Sequence, residues 1–352
     1  MLSIRFSGKS RDNKISVIIE GFPKGYIFSL SILQQYIDRR KATLDVWSTT
    51  RRENDEINIG VGLKNIDGDK VQIIAQEIEF FVINQDIKRD ENINICRPGH
   101  ADYVSFLKYG CIHPGGGEFS GRMTVLLAIA GGLCYQYLEE KYKVNMLAYI
   151  SSVGKIEGIS YKQNNFNIES IDISNKNFIV SRDDKEKFIK EMKIAQMNGD
   201  TVGGSIECIA TNVPAGLGGP NIHSLEGTIS KYIFAIPGVK SIEFGQGIDF
   251  VNSYGSEVID DFALDGEKVV LKNNYNGGIN GGVSNGMPIL IKVAVKPVSA
   301  IKQNVSLLEI FEDGQKKIAT GKIDGRNDVC IVPRVVVLIE SAVALAIMEK
   351  LC

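Results

Sequence analysis

Three histidines, His100, His113 and His223, are all that this chain holds, and one of them stands where proton chemistry is simple to build. His100 lies in Arg97-Pro98-Gly99-His100-Ala101-Asp102-Tyr103. Imidazole takes up or releases a proton near neutral pH. An Arg-Pro-Gly turn presents it, and the Asp102 carboxylate beside it can fix its tautomer. Shortly after comes Gly115-Gly116-Gly117-Glu118-Phe119-Ser120-Gly121-Arg122, leading into an apolar stretch. A glycine loop that opens a helix offers backbone N–H groups and a favourable dipole to an anion. It is not a Walker A loop, since no Gly-Lys-Ser/Thr follows, and it lacks the dinucleotide spacing. Alone, each segment also has an ordinary reading, as a polar turn or a flexible link.

Three further groups carry chemistry-bearing side chains. Asp38-Arg39-Arg40-Lys41 and Arg51-Arg52-Glu53 cluster guanidinium groups that bind carboxylates and phosphates in pairs of hydrogen bonds. A solvated helix end is the plainer account of them. The amide- and glycine-rich run Asn273–Gly286 would let backbone approach a flat ligand and bond its edge. Lys296-Pro297-Val298-Ser299 and Gly325-Arg326-Asn327-Asp328-Val329-Cys330 place an Arg and an Asp close together. That pair can be a salt bridge, or can fix a phosphate and polarise a ring nitrogen.

Positioning such groups takes a sizeable fold. With 352 residues, 44% hydrophobic and 23% charged, the chain has ample core material for one large domain or two ordinary ones. Two short strands are expected within 1–20, a helix capped by Ser29 over 29–40, and strands near 57–63, 70–75 and 78–83. The strongest helix spans 121–143, apolar all round in its first half. A charged amphipathic helix is expected over 183–198, a strand over 204–213, and a helix over 224–235. A Pro237-Gly238 turn, strands over 239–244 and 288–295, and an apolar helix over 334–350 complete the set. No composition break marks a boundary, so residues 1–352 read as a single α/β body.

The formal net charge of -2 argues against a general nucleic-acid binder. Any anion must be held by a local cation cluster. Six cysteines without C-x-x-C pairing make zinc unlikely and suit reduced thiols in a cytoplasmic protein. No secretory h-region stands out, and the longest apolar stretch is too short to span a membrane.

In their order these segments resemble the chorismate synthase family over nearly the whole chain. Val213-Pro214-Ala215-Gly216-Leu217-Gly218 and Val239-Lys240-Ser241-Ile242-Glu243-Phe244-Gly245 join the segments above in carrying the likeness. The resemblance implies an α+β fold, a β-α-β sandwich assembled as a homotetramer. It implies anti 1,4-elimination of phosphate from 5-enolpyruvylshikimate 3-phosphate to give chorismate, with reduced FMN required and no net redox change. By position, His100 would keep the reduced flavin correctly protonated and Asp328 would act near flavin N5. Glu118, Phe119, Ser120, Pro237, Gly238, Gly281, Lys296, Pro297, Val298, Ser299, Ala300 and Arg326 would contact FMN. Arg39, Arg40, Arg122 and Arg334 fall where anionic groups of substrate or of NADPH are met, NADPH entering only as a reductant.

The chain also departs from the family. Arg11 stands in place of a second catalytic histidine, and a guanidinium holds phosphate charge but gives up no proton near neutrality. Val46 and Glu118 replace arginines, Asn327 replaces a histidine, and Cys111-Ile112-His113-Pro114 lacks an Arg-Asp pair. A reversed charge ~6 Å from a phosphate would cost ~3 kcal/mol per unit charge at an effective dielectric near ~20. Three readings stay open: a divergent chorismate synthase in which Arg11 acts electrostatically and His113 supplies a proton, a paralogue with another substrate, or a non-catalytic binding protein on the same fold.

Overall fold

Alternation of buried and less buried side chains builds the first sheet. Ile15, Val17 and Ile19 on the Lys14–Glu20 strand, and Ile78, Phe80 and Val82 on the Glu77–Ile83 strand, are fully buried. The antiparallel register sets Ile15 opposite Val82, Val17 opposite Phe80 and Ile19 opposite Ile78, so all six share one face. Ser3–Ser7 and Asn58–Ile59 complete this sheet at its two edges. The computed structural model describes residues 2–42, 45, 47–49, 54–84, 94–163, 166–311, 313–323 and 327–352.

The second sheet has seven strands, in the order Ile171–Asp172, Val180–Ser181, Asn145–Val153, Gly204–Thr211, Ile289–Val295, Val239–Phe244, with Ile156–Glu157 paired to Asn145–Val153. Gly204–Thr211 lies at its centre, with Cys208 set between Ala148 and Ile291. Between the sheets lie the two long helices, Thr124–Tyr142 and Val332–Leu351. α1 (Leu30–Asp38) starts where Ser29 Oγ accepts the Ile32 N–H. α2 is Asp102–Tyr109, α3 Thr124–Tyr142, α4 Lys185–Met197, α5 Leu225–Ile233 and α6 Val332–Leu351. Val335–Met348 of α6 is buried throughout, as a helix apolar on every side must be. It packs on the Asn145–Val153 and Gly204–Thr211 strands, while α3 packs on Lys14–Glu20 and on α6. The layers therefore run sheet, helices, sheet.

Two contacts set the spacing of that middle layer. A Cβ on Gly131 of α3 would lie 2.4 Å from Ser341 Cα of α6, so only glycine permits the approach. Glu340, 2% exposed in mid-α6, takes both Arg39 terminal nitrogens at 2.5 and 3.0 Å and the Ala148 N–H at 3.0 Å. It ties α1, α6 and the second sheet together.

The expected 57–63 strand is two pieces, Asn58–Ile59 and Leu63–Asn65, which enter different sheets. The turn between them holds Gly62 at φ 75, where a Cβ would meet Glu77 O at 2.1 Å. Unforeseen are α2, the Asn145–Val153 strand, and the hairpins Phe262–Asp265/Lys268–Leu271 and Val305–Ile310/Lys316–Gly321. Among the described residues no helix is long and apolar enough to cross a membrane.

Candidate active site

His100 closes a tight turn whose geometry Asp102 dictates. The Asp102 carboxylate accepts the Arg97 backbone N–H at 3.0 Å, Arg97 Nε at 2.7 Å and Arg97 Nη2 at 2.9 Å. Its Oδ1 also lies 2.7 Å from His100 Nδ1. Burial alone would raise this carboxyl, but the hydrogen bonds from Arg97 and His100 outweigh it and hold the group well below the usual carboxylate range. An ionised carboxylate only accepts, so His100 carries its hydrogen on Nδ1, and its Nε2 lies 3.2 Å from Arg97 Nη2. Asp102 also opens α2, where negative charge suits the helix dipole.

The glycine loop lies against this imidazole. Gly115, Gly116 and Gly117 have φ of 64, 86 and 55, all left-handed. A Cβ on Gly116 would lie 3.1 Å from His100 Cε1, one on Gly117 would lie 2.6 Å from His113 Cβ, and one on Gly115 would lie 2.8 Å from Arg11 Nε. Three side chains from three parts of the chain thus crowd one backbone arc. The turn Gly8–Asp12 is held to it through Ser10, whose N–H donates to Gly117 O at 3.2 Å and whose hydroxyl donates to Gly115 O at 3.3 Å. The loop does not open α3 directly. A short turn over Gly121–Met123, capped by Ser120 Oγ, stands between them.

Lys296 and Ser299 reach the same turn from the second sheet. Lys296 Nζ and Ser299 Oγ donate to Gly99 O at 2.6 and 2.7 Å, and the Lys296 N–H donates to Gly238 O at 2.9 Å. Pro237-Gly238, Lys296-Pro297-Val298-Ser299 and the His100 turn are therefore neighbours. Val298 O accepts the Thr201 hydroxyl at 2.6 Å, and Ala300 is buried beside Leu307 and Ile323. Phe119 is half-buried with its ring 6.3 Å from that of Tyr109, and Glu118 is exposed. Gly281 sits in the Ile279–Ser284 turn, where Gly282 O accepts the N–H groups of Gly219 and Leu225 at the start of α5. Among the described residues no hydrogen bond joins that turn to His100.

Asp328 belongs to a second, largely buried group. Its carboxylate accepts the Thr49 N–H at 2.9 Å and Arg334 Nη1 at 2.8 Å, and Arg334 Nε donates to Arg40 O at 2.9 Å. The side chains of Arg40 and Arg122 both pair with Asp55, which has no exposed surface. Arg122 also donates to Asn84 Oδ1 at 2.8 and 3.0 Å, and Asn84 Nδ2 donates to Asp12 O. An unbroken run of polar contacts therefore leads from Asp328 through Arg334, Arg40, Asp55, Arg122 and Asn84 to the loop that carries Arg11. Asp55 and Asn84 carried no local sequence signal. Arg326, Arg51, Arg52 and Val46 lie outside the described residues.

The comparisons with known proteins agree with one another. Residues 2–352 match the model of a family described as chorismate synthase. The chain belongs to the chorismate synthase family. It is 35% identical over 358 residues to the chorismate synthase of Thermococcus kodakarensis, covering 100% of this chain and 96% of that protein. Against the chorismate synthase of Methanocaldococcus jannaschii the identity is 33% over 365 residues, covering 99% of this chain and 94% of that protein. A crystal structure of a chorismate synthase superposes with a TM-score of 0.73 at 22% identity, covering 99% of this chain and 91% of that one, which establishes the shared α+β fold.

Proposed function

We propose that this chain catalyses the FMN-dependent anti 1,4-elimination of phosphate from 5-enolpyruvylshikimate 3-phosphate, giving chorismate. The observation that supports this most is the His100 imidazole, fixed by Asp102 and laid against Gly116 in a run of three left-handed glycines. Those glycines let the backbone close on Arg11, His100 and His113, where any Cβ would clash, and gather these three side chains on one arc beside which FMN would lie. Lys296, Ser299, Ser120 and the Pro237-Gly238 turn would hold the cofactor, with Lys296 set against its negative charge. When bound, reduced flavin supplies the transient electron donation that eases loss of phosphate. His100 takes up and returns a proton at Nε2, the ring nitrogen that Arg97 Nη2 also approaches. Arg11 at the loop, and Arg40, Arg122 and Arg334 on the buried network, set positive potential around the substrate's anionic groups. Asp328, oriented by Thr49 and Arg334 on that buried network, would act near flavin N5.

Anaerobic mixing of the protein with photoreduced FMN and the phosphorylated substrate tests this. Chorismate, followed by its absorbance, is the expected product, and none at high enzyme concentration would end the reading. NADPH enters this proposal only as the outside source of electrons. The proposal extends to a cytoplasmic homotetramer. The Phe262–Asp265/Lys268–Leu271 hairpin leaves Phe262, Leu264 and Val269 76%, 73% and 61% exposed, an apolar surface suited to cover by another copy. Light scattering that reports a monomer would remove that part.

A second reading, a paralogue with the same fold and a different substrate, draws on Ile112. In the segment that lacks the family's Arg-Asp pair, Ile112 is buried with Cys96 and Ile310 and brings no charge to the site. Flavin binding without chorismate formation would favour it.

A further inference from the structure

The glycine loop carries a second imidazole that takes no part in the chemistry proposed above. His113 is half-buried, pressed on Gly117, and Lys9 Nζ lies 3.3 Å from its Nε2. An ammonium has hydrogens and no lone pair, so Lys9 donates, Nε2 accepts, and the ring's own hydrogen sits on Nδ1. The other titratable groups against this ring are Cys111, with Sγ 3.9 Å from both ring nitrogens, and Tyr109, with ring centroids 5.6 Å apart. Arg11 lies beside Gly115 on the same arc. It can hold an anion there, but a guanidinium gives no proton to it near neutral pH. His100 has its Nδ1 hydrogen committed to Asp102. The Lys9–His113 pair, drawn from the first turn of the chain and from the segment after α2, carries a transferable proton at the loop where an anion would lie.

We propose that the Lys9–His113 pair delivers the proton to the phosphate that leaves at this loop, which rests on the chorismate synthase reading and deepens it. As the ring carbon–oxygen bond breaks, its electron pair stays on the oxygen. That oxygen takes the Nδ1 proton of His113 while an ammonium proton of Lys9 passes to Nε2. The imidazole ends neutral with its hydrogen on Nε2, Lys9 ends as an amine, and phosphate departs as its protonated form. Lys9 is exposed, so water restores its proton. Fully ionised phosphate is a stronger base than the Lys9 amine, so the net transfer from ammonium to phosphate runs downhill.

His113→Gln keeps a side chain that accepts from Lys9 but cannot relay a proton. Its kcat should fall about 100-fold, within the range for loss of a general acid, with KM and FMN affinity within threefold of the parent. Lys9→Met should lower kcat in the same direction. In His113→Gln/Arg11→His an imidazole returns beside Gly115, and at least tenfold recovery of kcat is expected, which a purely structural role of His113 would not give. A kcat within threefold of the parent in His113→Gln, or no recovery in the double variant, overturns the proposal. A readout apart from turnover is the NMR titration of His113 with and without inorganic phosphate. A bound anion should raise the imidazole midpoint, and an unchanged midpoint overturns the proposal. If the parent protein makes no chorismate while phosphate still raises that midpoint, the proton-donating pair stands and the substrate reading falls.

Discussion

Asp55 offers one carboxylate, with no exposed surface, to two buried guanidinium groups, those of Arg40 and Arg122. Burial alone would raise its pKa, but the two arginines outweigh burial and hold the carboxyl below its ordinary range. In Asp55→Asn both cations would face a neutral amide. Removing one partner of a buried ion pair costs ~3–5 kcal/mol, because the charge left behind is uncompensated. Against a total stability of ~5–15 kcal/mol that is a large share. The pH dependence has a definite sign. The folded pKa is depressed, so the contribution is fully present above the unfolded value near ~4 and is lost as pH falls through the folded pKa. For this single proton the parent loses up to ~1.4 kcal/mol per pH unit in that acid window, and the variant lacks that share of the slope. Urea unfolding followed by the fluorescence of Trp47, the single tryptophan, stacked on Phe178 at 4.5 Å, measures both effects. A loss under ~1 kcal/mol at pH 7, or an unchanged acid slope, would refute the claim that this carboxylate organises the arginines.

Other outcomes follow from single contacts. Asp102→Asn removes the charge that fixes His100 and should lower kcat about 100-fold in steady-state assays, with loss of the acid limb that Asp102 contributes to stability. Lys296→Met deletes a charged hydrogen-bond donor worth ~1.5–3 kcal/mol, so FMN titration should show affinity weakened by roughly ten- to 150-fold. Gly131→Ala forces a methyl group into α6 and should destabilise the fold by ~1–3 kcal/mol or more in thermal unfolding, with the loop chemistry unaltered in the fraction that folds.

The parts of the fold with local signals were legible in the residues. α1 begins at a hydroxyl cap, α4 and α5 follow from apolar periodicity, and α3 and α6 from long apolar runs, to within a few residues at their ends. Asn145–Val153 escaped because it is buried on nearly every position and so shows no alternation, and α2 because it is short and half exposed. In the site, the His100–Asp102 pair is near neighbours in the chain and legible from type and spacing, whereas in the sequence Lys296 and Ser299 are tied to it only through the family resemblance. Asp55 is different: it meets Arg122 from 67 residues away, and only the packing of the first sheet on α3 brings them together. Lys9 and His113 are 104 residues apart and meet because Ser10, hydrogen-bonded to Gly115 and Gly117, holds the turn that carries Lys9 against the loop after His113. The loop itself was read as the start of the long helix, whereas the hydroxyl of Ser120 begins a separate short turn there.

The central claim is tested most directly by a single-turnover experiment without oxygen, with enzyme and reduced FMN in excess over 5-enolpyruvylshikimate 3-phosphate, quenched in acid and assayed for both products. Equal amounts of chorismate and inorganic phosphate are predicted. Phosphate without chorismate, or intact substrate after prolonged incubation, would contradict the account.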